Sequence, residues 1–141
     1  MADLPQALAK AFAFDSTREE QLEAFRPLYD AEVTFQDPIQ RADGFDAFFK
    51  MNRRLLRSIR TLTVKVTAVE GTDEQFFLAW TMQFTPKLLP RKELALEGLT
   101  HCKARNQKII YHRDYWDVAA LVASVFPGGQ TALRSVLARL F

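Results

Sequence analysis

FDAFFKMNRRLLRSI, residues 45–59, stands directly before two alternating stretches, LTVKVTA (residues 62–68) and FFLAWTMQF (residues 76–84), and this change of period decides the fold class. In the first stretch Phe45, Phe48, Phe49, Asn52, Leu55, Leu56 and Ile59 recur at helical spacing and form one face. Lys50, Arg53, Arg54, Arg57 and Arg60 fall on the other. In the second, Leu62, Val64, Val66 and Ala68 alternate with polar partners, which is the period of a strand with one buried face. Gly71 to Asp73 turns the chain, and Phe76, Leu78, Trp80, Met82 and Phe84 continue the alternation.

Outward from that point the same reading extends both ways. Downstream, residues 87–92 read as a loop, 93–104 as a strand, 105–107 as a tight turn and 108–117 as the last strand. Upstream, residues 32–37 alternate as an isolated strand ended by Pro38, with Val33, Phe35 and Asp37 on one face. Before it, Asp3 caps a first helix carrying Leu4, Leu8, Ala11 and Phe12. Ser16 and Glu19 form the capping box of a second helix, which Pro27 kinks or ends near Arg26. After the last strand, Pro127-Gly128-Gly129 lets the chain reverse into a tail helix over 130–141 with Leu133, Val136, Leu137, Leu140 and Phe141 on one stripe. That stripe is too apolar to be left in water, so residues 118–141 are expected to fold back beside the mouth of the domain and partly close the pocket, on their own subunit or on a partner. Helices segregated from a run of antiparallel strands define an α+β fold in one domain, residues 1–141.

Composition narrows the function. The chain holds 12 Phe and 5 Gly among 141 residues, 48% of them hydrophobic, with a net charge of +2. The phenylalanines point to an aromatic interior or pocket. The charge is too mild for nucleic acid, and no aromatic platform interleaves with the basic stripe. Cys102 has no partner for an intramolecular disulfide, and the longest apolar run is about half of the ~20 residues that span a bilayer. A cytoplasmic protein without a membrane role is expected. His101 and His112 are the only histidines, so a multi-histidine zinc site is ruled out. There is no glycine-rich phosphate loop and no nucleophile elbow. No cofactor is implied.

Two features carry candidate chemistry. Asp37-Pro38 closes a strand whose inward face is apolar, and a carboxylate aimed into such a face is suited to acid–base work. An aspartate before a proline is equally the ordinary cap of a turn. The second feature is YHRDYWD, residues 111–117. Alternation sets Ile110, His112, Asp114 and Trp116 on one side and Tyr111, Arg113 and Tyr115 on the other. Either set could line a pocket, and an amphipathic strand with solvated charges would show the same pattern.

The segment Leu28-Tyr29-Asp30-Ala31-Glu32-Val33-Thr34-Phe35-Gln36-Asp37-Pro38, Gly44 before the long helix, and Lys108-Ile109-Ile110 leading to Asp114-Tyr115-Trp116-Asp117 resemble the nuclear transport factor 2-like superfamily, in its SnoaL-like and ketosteroid isomerase-like branch. The resemblance implies a cystatin-like cone, a curved antiparallel sheet wrapped around a long helix with N-terminal helices before it, and often a homodimer. It matches Asp37 to the proton-shuttling aspartate of ketosteroid isomerases, whose two oxyanion donors have no counterpart here: the first helix has no Tyr, and Thr100 falls near the second position. It matches His112 and Asp114 to the inward face on which cyclase-like members carry an acid–base aspartate. Two functions follow as expectations. One is a cofactor-independent isomerase, cyclase or dehydratase acting on a small hydrophobic molecule, with Asp37 as base, Asp114 and His112 as acid or orienting partners, and Phe35, Phe49, Trp80, Met82, Thr100 and Trp116 binding the ligand. The other is a non-catalytic binding or dimeric interaction module built on the same pocket. A homodimer packed through the face of Tyr111, Arg113 and Tyr115 is expected in either case.

Overall fold

A computed structural model describes residues 3–141. Helix α1, Leu4–Phe12, starts where Asp3 accepts a hydrogen bond from Gln6 N at 3.2 Å. It buries Leu4 and Leu8. Phe14 O accepts from Val64 N at 2.8 Å, which ties the exit of α1 to the sheet.

The second helical segment departs from the capping-box expectation. It is a 3₁₀ stretch, Glu19–Leu28, with Arg18 at its cap position and no side-chain cap bond. The Glu19 carboxylate is drawn away to Arg57 on the long helix, so it cannot reach back to Ser16. Ser16 Oγ instead accepts from Gln21 Nε2 at 2.9 Å. Pro27 lies inside the segment, which ends one residue later at Leu28.

Strand β1, Tyr29–Gln36, begins earlier than the alternation suggests and stops before Asp37. The short β2, Arg41–Asp43, returns against it. Gly44 then turns the chain into α2, Phe45–Ser58, at φ 93°, a left-handed conformation that favours glycine. Phe45, Phe48 and Leu56 face the core, and Ile59, expected at the end of the helical stripe, is already the first residue of β3. Strands β3 (Ile59–Gly71), β4 (Gln75–Pro86), β5 (Leu94–Arg105) and β6 (Lys108–Trp116) form the meander. Asn106 and Gln107, at φ 53° and 64°, make the tight β5–β6 turn.

The sheet is curved and open, ordered β2-β1-β6-β5-β4-β3. All neighbours are antiparallel except β1 and β6, which run parallel. One bulge shapes the functional strand. Lys103 pairs with Tyr111 but Ala104 pairs with Ile109, so Ile110 is left over. The inward residue before His112 is therefore Ile109, fully buried, not Ile110 as strict alternation predicts. The bulge precedes His112, so His112, Asp114 and Trp116 keep the parity expected of them.

Within one chain the tail meets the expectation only in α3. Helix α3, Val118–Val125, is capped by Asp117 and packs on β5. Helix α4, Gly129–Leu140, buries none of its residues. Val136, Leu137, Leu140 and Phe141 are exposed rather than folded over the mouth. The hinge explains the outcome. Gly128 adopts a left-handed φ of 69°, and Gly129 approaches Ala123 O so closely that a Cβ would lie 2.0 Å from it. This turn stacks α4 on α3 instead of on the cone.

Candidate functional site

The sheet's concave side, α1, the 3₁₀ stretch, α2 and α3 surround a cavity of about 270 Å³, near the lower end of the ~300–1,000 Å³ usual for small-molecule sites. Its walls are aromatic and aliphatic: Phe12, Phe25, Phe35, Phe48, Trp80 and Trp116 are joined by Met, Leu and Val side chains. Asp37, His112 and Asp114 reach the same cavity. Leu121 of α3 contributes to its rim, and Ile39 and Leu55, both lining it, are exposed at 65% and 44%.

The polar groups at the cavity wall form one connected chain. Asp114 Oδ1 accepts from Thr100 Oγ1 at 2.6 Å and pairs with His112 Nε2 at 2.8 Å. Trp80 Nε1 donates to Thr100 Oγ1 at 2.9 Å, and the Tyr29 hydroxyl lies 2.7 Å from His112 Nδ1. Chemistry fixes the direction of the Trp80–Thr100–Asp114 links. An indole N–H only donates, so the Thr100 hydroxyl accepts it and sends its own proton to Asp114. Burial, then the nearby Cys102 and Asp114, pushes the Tyr29 hydroxyl well above its ordinary ionisation range, so it keeps its proton. Among the described residues its partner is His112 Nδ1; in the neutral imidazole that accepts this proton, His112 Nε2–H donates to Asp114. Two donor relays, Trp80–Thr100 and Tyr29–His112, thus converge on Oδ1 and leave Oδ2 for a ligand. Gly98 makes the first relay possible, because a Cβ there would lie 2.2 Å from the Trp80 ring.

The sequence-predicted residues separate into those that meet and those that do not. His112, Asp114, Phe35, Trp80, Met82 and Trp116 share the cavity. Thr100 is fully buried behind Asp114 and acts on it rather than on the space inside. Phe49 does not line the cavity. It sits on the outer side of α2, 5.8 Å from Phe45 and 4.8 Å beneath the Arg26 guanidinium, because one step past Phe48 on a helix turns a side chain away by about 100°. Asp37 borders the cavity but is half-exposed, not buried. Its Oδ1 accepts from Ile39 N and Gln40 N at 2.8 and 2.9 Å, and its Oδ2 accepts from Gln40 Nε2 at 3.0 Å. The strand has ended at Gln36, so alternation no longer aims Asp37 inward, and the carboxylate closes a turn. His101 faces the convex side, stacked on Phe77 at 4.5 Å, where burial and then Lys103 lower its proton affinity.

Sequence reasoning missed Tyr29 as a site residue, and with it Phe12, Phe25 and Asn52 in the lining. The signal for Tyr29 was its shared parity with Val33 and Phe35. It was hidden by placing the strand's start at Glu32.

A long helix on the concave face of a curved sheet, with a polar cluster on the last strand at the cavity wall, defines the cone-shaped α+β class with a ligand-sized interior. The chain belongs to the SnoaL-like domain family, whose model matches residues 9–112. Asp114 and Trp116 lie just past that match. No curated protein matches the sequence. Among solved structures, a protein of ketosteroid isomerase-like fold from Catenulispora acidiphila, in complex with trimethylamine, is 19% identical, with a TM-score of 0.71 over 88% of this chain and 93% of that one. A nuclear transport factor 2-like protein of unknown function from Burkholderia pseudomallei is 12% identical, with a TM-score of 0.73 over 90% and 100%. A protein described as a SnoaL-like polyketide cyclase from Shewanella putrefaciens is 15% identical, with a TM-score of 0.70 over 89% and 97%. At these identities the likeness is one of fold.

Proposed function

We propose that the cavity binds a small, mainly apolar organic molecule and that Asp114 moves a proton on it, as in an isomerase or cyclase. The observation that carries this reading is the convergence of two directed relays on Asp114 Oδ1 at the wall of an apolar cavity. The relays hold the carboxylate in one orientation and present Oδ2 to the ligand, which is the positioning that general acid–base catalysis requires. His112 and Tyr29 are positioning residues, as are Thr100 and Trp80. Asp37, with its oxygens engaged in a turn, is the weaker candidate base. The cyclase-like and isomerase-like names among the fold neighbours agree with this chemistry without naming a substrate.

The reading is tested by solvent-deuterium incorporation into a panel of small apolar ketones and other carbon acids. Asp114→Asn is expected to lower the exchange rate by about 10²–10⁴-fold, the usual contribution of a general base. An equal or larger loss from Asp37→Asn would reverse the assignment. A specific observation favours a non-catalytic binding role as the second reading. The one-proton donors near Asp114 are all engaged with one another, so none is free to stabilise an oxyanion. Ligand binding without exchange in any substrate would support it.

A further inference from the structure

The class of ligand follows from the charges and donors its walls provide, given the reading of the cavity as a ligand site. Among the described residues that line it there is no Lys or Arg, while two, Asp37 and Asp114, are acidic. The Asp114 side chain is only 15% exposed and its histidine partner 1%. Its two donors, Thr100 and His112, carry hydrogen bonds, and neither is a permanent cation. A carboxylate drawn into an apolar wall without a counter-charge is unfavourable, and a cationic ligand supplies the missing charge. An anionic ligand would meet two carboxylates. A carbonyl ligand would find the Trp80 and Thr100 protons already given to acceptors inside the protein, with the second N–H of the Asn52 and Gln40 amides as the donors left on the wall.

The rest of the wall suits the same cation. Trp80, Trp116 and a set of phenylalanines line the same cavity as the carboxylate, and aromatic faces attract organic cations through their ring quadrupole, most strongly where water is excluded. A primary ammonium needs several acceptors to replace its water, and Asp114 has one oxygen to spare. A nitrogen wrapped in carbon needs none or one.

We propose that the cavity selects a small organic ammonium, a quaternary or protonated tertiary amine with apolar substituents, over neutral and anionic molecules of the same shape.

Calorimetric titration with three probes tests this: benzyltrimethylammonium, its uncharged carbon isostere neopentylbenzene, and phenylacetate. The cation is expected to bind about tenfold or more tightly than the isostere, and phenylacetate more weakly than both. Asp114→Asn is expected to remove most of that preference, and continued binding of neopentylbenzene by the variant shows that the cavity is intact. If Asp114→Asn does not fold, Trp116→Leu decides, since it keeps the carboxylate but removes an aromatic face, and the preference should fall several-fold. Neopentylbenzene binding as tightly as the cation, or a preference that survives in the folded variant, overturns the ammonium assignment and leaves the cavity reading standing. Failure of all three probes overturns both.

Discussion

Tyr29 shows how one residue couples the site to the stability of the fold. Its hydroxyl is buried and ionises well above its ordinary value of 10, because the phenolate would be stranded without water. In the unfolded chain the same group loses its proton near that ordinary value. Above it the unfolded state therefore binds fewer protons than the native one, and stability falls as pH rises. The buried Cys102 thiol, raised well above 9 by burial and then by Asp114, acts in the same direction. Tyr29→Phe should flatten the alkaline limb of a plot of melting temperature against pH. At neutral pH it should cost about 1–3 kcal/mol, because His112 Nδ1 loses its donor. A variant with the parent's alkaline slope would show that Tyr29 is not the group responsible.

At the scale of elements, α4 stands apart. It contributes nothing to the core, and Leu140 and Phe141 are 69% and 100% exposed. Removing residues 128–141 is therefore expected to change stability by about 0.5 kcal/mol or less, as surface changes do, and to reduce the binding of an apolar dye. A large drop in melting temperature with increased dye binding would mean that α4 covers the cone after all. The apolar stripe itself was legible in the sequence, but its destination was not. Periodicity reports which face of a helix is apolar, whereas the docking direction depended on Gly128 and Gly129 turning the chain onto α3. The site divides in the same way. Asp114, His112 and Trp116 could be read from alternation because the bulge at Ile110 lies before them. Asp37 lines the cavity as its parity suggested, but as a half-buried turn carboxylate, because the strand ends at Gln36; Phe49 was misplaced because a wide helical stripe was taken as a single wall. The Tyr29 partnership had no local signature, since its partner on β6 lies 83 residues away.

For the whole molecule, the convex sheet face raises the question of assembly. Phe77, Leu99 and Tyr115 are each more than a third exposed there. Arg113 lies over Tyr115 at 4.7 Å and Lys103 over Tyr111 at 5.0 Å. Aromatic side chains with Arg are enriched at protein interfaces, so a homodimer through this face is the expected state. Light scattering at tens of micromolar should give twice the 16.2 kDa chain mass, and Tyr115→Glu should return it to one; a monomer in the parent protein would count against the interface. The parallel β1–β6 pairing has a different consequence, in time rather than space. Thr100, His112 and Asp114 belong to one tight hairpin, which can zip within ~1–10 μs. Tyr29 joins them only when the chain's first strand arrives from far away in sequence, and contacts of that kind set the pace of folding. Half of the relay network thus rests on local contacts, while the Tyr29–His112 link depends on the long-range pairing of β1 with β6.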